Sequence, residues 1–188
     1  GVRRVIDIGG GPGIYAAAFA KALPDAEVFV LDQPDVEEIA AEFIGDLIET
    51  GRVKYISGDA LDIDDEKVIG KDGSRKYDIV FMSNLIHAMS PEQVKEVIAR
   101  SVRWCRSGGR FVCKDFFLDD TRTRPSRAAL FAINMLVGTP GGNSYTWIEV
   151  ESWLMETRTA EGKAAVAEGA RVTLSDGYSG MIVATVAG

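Results

Sequence analysis

Apolar positions along the chain fall into short runs, and longer amphipathic segments separate these runs. A short continuous apolar run is typical of a strand covered on both faces, whereas apolar residues recurring every three or four positions predict a helix. Strands are predicted over Val5–Ile8, Val28–Leu31, Val53–Ser57, Tyr77–Met82 and Arg110–Phe117. Helices are predicted over Ile14–Leu23, Pro34 to about Thr50, and Pro91 to about Cys105 with Ser90 as N-cap. This alternation predicts a parallel, Rossmann-like sheet in a three-layer α/β sandwich.

The last third of the chain departs from this alternation. Two helical segments are predicted over Arg124–Val137 and Thr146–Glu161, followed by strands over Arg171–Leu174 and Met181–Val186. The connection between the last two strands is too short for a crossover helix, so they predict an antiparallel hairpin at the sheet edge. The stretch Asp62–Lys76 is acidic and then predicts a turn at Lys71-Asp72-Gly73-Ser74. The expected result is one domain with a sheet of seven strands.

The densest glycine cluster follows the first predicted strand, in the run Asp7-Ile8-Gly9-Gly10-Gly11-Pro12-Gly13. In open α/β sheets, ligands bind outside the carboxyl ends of the strands, where glycines let the backbone approach a ligand closely. The run fails the dinucleotide pattern G-x-G-x-x-G because Ile14 stands at the third glycine, and it lacks the Gly-Lys-Ser/Thr of a phosphate loop. Pyrophosphate favours bare N–H groups, so the acid Asp7 beside this loop indicates a cationic ligand instead.

Two later acids have the spacing that such a ligand needs. Asp32 ends the second predicted strand, about 20 residues after the glycine loop, where an acidic residue binds ribose hydroxyls. Asp59 ends the third predicted strand, where it can accept a hydrogen bond from an adenine amino group. S-adenosylmethionine fits this set, because it is a nucleoside that carries an ammonium and a sulfonium. The structural alternative is that the glycines form a plain turn and the aspartates cap helices.

Several motifs together resemble the class I S-adenosylmethionine-dependent methyltransferases, and within them the small-molecule O-methyltransferases of the caffeate and acetylserotonin type. The resemblance covers nearly the whole chain and rests on segments 5–13, 31–34, 58–59, 85–89, 107–110 and 134–136. It implies a cofactor site formed by Asp7, Gly9, Gly10, Gly11, Gly13, Asp32, Gln33, Asp59, Ala60 and Ser83. Ser83 departs from the plant members, which often have a cofactor-contacting lysine at this position.

The resemblance also implies a role for His87, the only histidine of the chain. In the resembling enzymes this histidine is the general base that removes the proton of the substrate hydroxyl, so that the oxygen can attack the sulfonium methyl. Asp115 is expected to hold the imidazole in the required tautomer. The second carboxylate of plant members would align near Ser144, which has no charge, and Glu149 is expected on a solvated helix face. The usual Asp-Trp pair is also replaced, since residues 88–89 are Ala and Met.

An acceptor pocket is expected from the segment after the fifth predicted strand. An apolar wall with one amide would be formed by Phe116, Phe117, Phe131, Asn134 and Met135. The last three of these fall at helical spacing on one face, and the alternative is that this face belongs to the core. Trp147 and Trp153 are expected to be packing residues.

Composition argues against several other classes of protein. The net charge of −7 and the isoelectric point near 4.8 argue against binding of nucleic acid or an anionic membrane through a basic face. No apolar run approaches the roughly 18 residues that a membrane span needs. Two cysteines and one histidine are too few for a tetrahedral zinc site, so no metal is expected. The two cysteines could form only one disulfide, which is too few for a disulfide-stabilised scaffold and therefore favours a reducing, cytoplasmic compartment.

Three alternatives to methyl transfer remain open from the sequence. They are a related cofactor-binding enzyme with different chemistry, a non-catalytic S-adenosylmethionine-binding module, and a nicotinamide dehydrogenase, against which the failed dinucleotide pattern argues. The resembling enzymes usually carry an N-terminal helical domain that dimerises and helps to close the acceptor pocket. Residues 1–188 begin at the first predicted strand, so they are expected to be the catalytic domain without that helical domain. A small-molecule acceptor is the expected partner, and a full-length form is expected to be a homodimer.

Overall fold

One sheet of seven strands forms the centre of the computed structural model, which describes all 188 residues. The strands are β1 (Arg4–Ile8), β2 (Glu27–Asp32), β3 (Val53–Ser57), β4 (Tyr77–Ser83), β5 (Cys105–Asp115), β6 (Val166–Thr173) and β7 (Gly180–Val186). Their order is β3-β2-β1-β4-β5-β7-β6, and the first five strands pair in parallel. β7 pairs antiparallel with β5 and with β6. The predicted α/β fold, with an antiparallel hairpin at the sheet edge, is confirmed.

Helices cover both faces of this sheet. They are α1 (Ile14–Ala22), α2 (Pro34–Glu49), α3 (Asp65–Ile69), α4 (Pro91–Trp104), α5 (Ser126–Gly138) and α6 (Trp147–Glu156). α1 and α2 pack on one face, and α3, α4 and α6 pack on the other around the larger of two buried cores. α5 instead contacts a 3₁₀ turn (Ile86–Ala88) that follows β4. None of these helices combines the length and apolar character that crossing a membrane would require.

The larger core depends on the apolar face of α4. Val94, Val97 and Ile98 of this helix are completely buried against the sheet. Trp104, at the end of the helix, is also completely buried, and its indole N–H donates to a carboxylate oxygen of Asp65 at 2.9 Å. A buried indole N–H needs such a partner, because an unpaired one would cost about 1–3 kcal/mol.

Four parts of the predicted secondary structure differ from the observed elements. The acidic part of the stretch 62–76 contains α3, a helix of one to two turns whose N-cap Asp64 accepts from the Glu66 N–H at 2.9 Å. The predicted turn at residues 71–74 follows this helix. α6 ends at Glu156 rather than Glu161, since Arg158 pairs with Ala164 across a following turn.

The sixth strand begins at Val166, five residues before the predicted start at Arg171. Every residue of β6 after Val166 is exposed, because β6 is the outermost strand of the sheet. An edge strand of this kind carries no alternation of apolar and polar residues, which is the signal that predicts a strand. The fifth strand likewise runs from Cys105 to Asp115, not from Arg110 to Phe117.

The N-terminus of α4 is held by a capping box, as its sequence predicted. The Ser90 hydroxyl accepts from the Gln93 N–H at 3.3 Å, and the Gln93 side chain accepts from the Ser90 N–H at 2.9 Å. The two bonds satisfy two amides that the helix leaves without partners.

Replacing Ser90 with Ala is expected to lower the free energy of unfolding by about 1 kcal/mol, because one capped amide loses its acceptor. Urea denaturation of both proteins measures the change as a shift of the midpoint. Ser152→Ala is the matched control, since Ser152 lies inside α6, is exposed and caps no helix. Equal midpoints for Ser90→Ala and the parent would contradict the prediction.

A candidate cofactor and base site at the carboxyl edge of the sheet

The glycine loop between β1 and α1 has a backbone that side chains would not allow. Gly9 and Gly13 both have positive φ angles, of 64° and 78°. A Cβ on Gly13 would lie 2.3 Å from the Cδ1 atom of Ile44, and one on Gly9 would lie 2.8 Å from Cδ1 of Leu85. The loop therefore needs glycine at these two positions for its conformation, and a Cβ there would also displace the ends of the Ile44 and Leu85 side chains.

Asp32, the last residue of β2, forms a hydrogen bond with the backbone of this loop. One of its carboxylate oxygens accepts from the Gly11 N–H at 2.7 Å, and the other accepts from the Gln33 N–H at 2.8 Å. Gln33 itself is exposed and begins the turn into α2. The carboxylate of Asp32 thus lies against the glycine loop, at the edge where the sequence predicted a ribose contact.

Asp7, which the sequence placed in the cofactor site, has an unusual environment, because it is a completely buried acid with no hydrogen-bond partner. Neither carboxyl oxygen of Asp7 is paired, and the hydroxyl of the buried Ser83 is unpaired as well. Burial, reinforced by the negative charge of Asp32, raises the pKa of Asp7 to about 7. The backbone N–H of Ala16 lowers the pKa of Asp7 to a smaller extent, although it is not placed to form a hydrogen bond with the carboxyl group.

Asp7 and Ser83 line the same cavity, which has a volume of about 240 Å³ and follows the glycine backbone. Its lining residues are Asp7, Gly9, Gly10, Gly11, Pro12, Ile14, Tyr15, Ser83 and Asn84. An unpaired buried polar group is costly, and it is explained when a ligand supplies the missing partner. A ligand with a cationic hydrogen-bond donor fits these two groups, and the ammonium of S-adenosylmethionine is such a donor.

The remaining predicted cofactor residues follow β3, next to Asp32, whose carbonyl oxygen accepts from the Gly58 N–H at 2.9 Å. Asp59 is exposed, and one of its carboxylate oxygens accepts from the Leu61 N–H at 2.8 Å. The Ala60 side chain belongs to the buried core, so only its backbone could face a cofactor. Asn84 was missed in the sequence, although it follows β4 directly and lines the cavity with a positive φ of 54°.

His87 and Asp115 form a close pair beside this edge. The Nδ1 atom of His87 lies 2.8 Å from a carboxylate oxygen of Asp115, and that same oxygen accepts from the Phe116 N–H at 2.8 Å. Asp115 ends β5 and is 2% exposed, whereas His87 belongs to the 3₁₀ turn and keeps part of its side chain accessible. The Nε2 atom of His87 has no partner in the protein.

The loop before α6 supports His87 through its backbone. The Asn143 N–H donates to the His87 carbonyl oxygen at 3.0 Å. A Cβ on Gly142 would lie 2.3 Å from that carbonyl, so this loop also depends on glycine for its close approach. Neither residue was predicted, because nothing local indicates which loop will meet the 3₁₀ turn.

Neither Ser144 nor Glu149 provides His87 with a second polar partner. The buried Ser144 hydroxyl donates to the Ala128 carbonyl at 3.2 Å. The Glu149 carboxylate, in the first turn of α6, accepts from the Thr146 N–H at 2.8 Å and forms an ion pair with the exposed Arg122, and its side chain stays 29% exposed. Asp115 is therefore the single acid that contacts His87.

Two aromatic rings lie next to the imidazole of His87. The Phe131 ring lies edge-on at 4.8 Å between centroids, and the Phe116 ring lies at 6.0 Å. Phe116 and Phe131 also line a cavity of about 570 Å³ together with Arg127, Leu130, Asn134 and Tyr178. His87 does not line this cavity itself. The rings of Phe116 and Phe131 also contact each other, with 4.6 Å between their centroids, so both border His87 and this cavity.

Two members of the predicted acceptor wall lie elsewhere. Phe117 is 2% exposed and stacks on Trp147 at 4.4 Å between ring centroids, so it belongs to the core. Met135 is half-buried and does not line the cavity. Trp147 and Trp153 both pack against the larger core, as expected for packing residues.

The fold and the glycine-loop cavity define an α/β protein with a ligand site at the carboxyl edge of its sheet, suited to a ligand with a cationic group. The chain belongs to the family of the O-methyltransferase domain, whose model matches residues 1–157. S-adenosylmethionine is accordingly the cofactor of this domain. Family membership also disfavours the nicotinamide dehydrogenase that the sequence left open.

Individual proteins agree with this assignment. The chain is 32% identical over 161 residues to 3-hydroxy-5-methyl-1-naphthoate 3-O-methyltransferase of Streptomyces sahachiroi, an alignment that covers 86% of this chain and 44% of that protein. An O-methyltransferase family protein of Burkholderia thailandensis has the same fold, with a TM-score of 0.83, 22% identity, and coverage of 99% of this chain and 51% of that one. Human N-acetylserotonin methyltransferase, solved in complex with S-adenosylmethionine, has a TM-score of 0.75 and 19% identity, and covers 100% of this chain and 48% of that one. The chain thus spans about half the length of the proteins that it resembles.

Proposed function

We propose that the protein transfers a methyl group from S-adenosylmethionine to a hydroxyl of a small aromatic acceptor, with His87 as the general base. The observation that carries this proposal is the His87–Asp115 pair, with 2.8 Å between Nδ1 and the carboxylate. A carboxylate accepts hydrogen bonds only, so Nδ1 carries the hydrogen and Nε2 keeps its lone pair. Nε2 is the atom that would take the proton of the acceptor hydroxyl.

Asp115 would act on this step as a positioning residue. It holds the imidazole through Nδ1 and is itself held by the Phe116 N–H. When Nε2 takes a proton, the ring becomes positive, and the adjacent carboxylate stabilises that charge. The proton thus remains on His87 next to a fixed negative group.

The glycine loop and its acids would hold the cofactor. Asp7 and Ser83 have unpaired oxygens in the cavity, and Asp32 lies at the loop where it can bind ribose hydroxyls. When bound, S-adenosylmethionine supplies an activated methyl group. The contribution of the protein is then to keep the acceptor oxygen and that group in a reactive orientation and to remove one proton.

The acceptor would occupy the aromatic side of the site. The name of the Streptomyces relative describes methylation of a ring hydroxyl on a naphthalene compound, which supports an aromatic acceptor for this chain. Two flat rings, Phe116 and Phe131, neighbour both His87 and the larger cavity, and such rings favour a flat ligand.

We further propose that the full-length protein is a cytoplasmic homodimer. Four large apolar side chains of α5 are more than half exposed: Leu130, Ile133, Leu136 and Val137. A contiguous apolar surface of this kind is typical of an interface. The two cysteines are buried free thiols, which supports a reducing compartment.

Two measurements on the full-length protein would test the enzymatic proposal. Calorimetry is expected to show binding of S-adenosylhomocysteine, and incubation with methyl-labelled cofactor is expected to label a member of a panel of hydroxylated aromatic compounds. Aromatic amines and thiols of the same ring systems are the matched control acceptors. Binding without transfer to any acceptor would favour the non-catalytic module, and no binding to intact protein would contradict the cofactor assignment.

A further inference from the structure

The cavity beside Phe116 and Phe131 contains one cationic side chain and no acid. Its lining is formed by Phe116, Arg127, Leu130, Phe131, Asn134 and Tyr178. Four of these side chains are apolar or aromatic, one is an amide and one is a guanidinium. A positive group in this cavity contrasts with the chain as a whole, which has a net charge of −7.

Arg127 has no acidic partner, and neither has Arg124, whereas two other arginines of the chain's second half do. Arg122 pairs with Glu149, and Arg171 pairs with Glu151. The side chain of Arg127 forms no ion pair and donates no hydrogen bond to the protein. Its charge is therefore available to a ligand.

Stacking fixes the position of the Arg127 guanidinium. Its central carbon lies over the ring of Tyr178, 4.3 Å from the centroid. The Tyr178 ring in turn stacks on Phe116 at 5.5 Å with an interplanar angle of 16°. A contact of this kind occupies the face of the guanidinium and leaves the N–H groups in its plane free to donate.

We propose that the acceptor is a hydroxylated aromatic carboxylate and that Arg127 binds its carboxylate group. A planar guanidinium and a carboxylate form two parallel hydrogen bonds, a geometry that a neutral amide or ester cannot reproduce. The aromatic walls would receive the ring, and the Asn134 amide can donate to or accept from a further polar substituent. This inference rests on the proposed function, since it assumes that the cavity receives the acceptor.

A matched pair of acceptors tests the inference on the full-length protein. The pair is a hydroxynaphthalene carboxylic acid and its carboxamide, which differ in charge but hardly in shape. The parent protein is expected to prefer the acid at least tenfold in kcat/KM. In Arg127→Gln this acid-to-amide ratio is expected to fall toward one, since hydrogen bonds to a charged partner contribute about one to two powers of ten in affinity. Arg127→Lys keeps the charge but not the paired donors, so it is expected to give an intermediate ratio.

Arg124→Gln is the control variant, because it removes the same charge from an exposed residue that lines neither this cavity nor the glycine-loop cavity. Its acid-to-amide ratio is expected to match that of the parent. An equal preference of the parent for acid and amide would overturn the inference, and so would an Arg127→Gln variant that keeps the parental ratio.

Calorimetry of acceptor binding separates this inference from the proposed reaction. Binding of the acid that weakens in Arg127→Gln, without any methyl transfer, would retain the carboxylate site and overturn the methyltransferase proposal. Methyl transfer to the carboxamide as fast as to the acid would support the methyltransferase proposal and overturn the carboxylate site. A parent protein that binds neither compound would overturn the carboxylate site.

Discussion

Replacing Asp7 with Asn is expected to weaken binding of S-adenosylhomocysteine by roughly 100- to 1000-fold, because the cofactor ammonium would lose its buried charged partner. Asp7 is completely buried, its carboxyl oxygens have no partner in the protein, and it lines the glycine-loop cavity. The substitution changes the charge and one hydrogen-bonding atom but hardly the volume. Calorimetric titration of parent and variant at pH 8 measures the loss.

The same substitution is expected to stabilise the cofactor-free protein at high pH. Burial raises the pKa of Asp7 to about 7 in the folded state, against 3.8 as its ordinary value. The folded state therefore keeps the proton over a pH range in which the unfolded state has lost it. The stabilisation by this proton is complete below about pH 4 and is lost as the pH rises through 7, by an amount on the order of 4 kcal/mol.

The amide of the variant cannot ionise, so Asp7→Asn should match the parent in free energy of unfolding near pH 4 and exceed it near pH 8. Urea denaturation without cofactor at the two pH values measures this difference. Asp25→Asn, at an exposed acid, is the control and should show no such divergence. Equal cofactor affinity in Asp7→Asn and the parent would contradict the assignment of Asp7 to the cofactor ammonium.

Cofactor affinity itself should depend on pH in the parent. The ammonium binds the ionised form of Asp7, so affinity is expected to rise between pH 6 and pH 8, with uptake of the ligand releasing a proton below pH 7. Calorimetry in two buffers of different ionisation enthalpy measures the released proton. The Asp7→Asn variant should show neither the pH dependence nor the proton release.

Replacing His87 with Gln is expected to lower kcat by about 100- to 10,000-fold, the range that a general base contributes. Affinity for S-adenosylhomocysteine should change less than about twofold, because His87 does not line the glycine-loop cavity. Steady-state rates with the full-length protein measure the first effect, and calorimetry measures the second. His87→Gln turning over as fast as the parent would exclude His87 as the base.

A series of acceptors sharpens this test. A phenol that is already ionised at the assay pH needs no base, so the loss in His87→Gln should become smaller as the acceptor becomes more acidic. Asp115→Asn should also lower kcat, but less than His87→Gln, because an amide can still orient Nδ1 while no longer balancing the positive ring. A loss that is the same for every acceptor would indicate a role for His87 in packing.

Much of the fold could be predicted because it rests on local patterns. The capping box of Ser90 and Gln93 was visible as residue types at fixed spacing, and the structure contains both of its hydrogen bonds. β6 could not be delimited, since its solvent-exposed residues at the sheet edge carry no apolar alternation. The helix α3 was hidden for a similar reason, because a five-residue helix is too short to show a period.

The candidate site likewise contains some residues that the sequence could predict and others that it could not. Asp7 and the glycine loop are adjacent in the chain, and both line the predicted cavity. Arg127 and Tyr178 come from distant segments, so their stacking on Phe116 could not be foreseen. Phe117 was placed in the acceptor wall although it points into the core, because alternation along a strand does not tell which face is open.

By itself the sequence determined the alternation of the parallel strands with the longer helices and the position of a ligand loop at the carboxyl end of β1, since apolar period and glycine sterics act over a few residues. Only the tertiary structure decided which groups meet across longer separations. His87 and Asp115 are 28 residues apart, and their contact follows from the pairing of β4 with β5. It also left the carboxyl group of Asp7 buried without a partner and the Arg127 guanidinium without an acid. Partners and burial depend on how distant segments pack, and no local pattern encodes them.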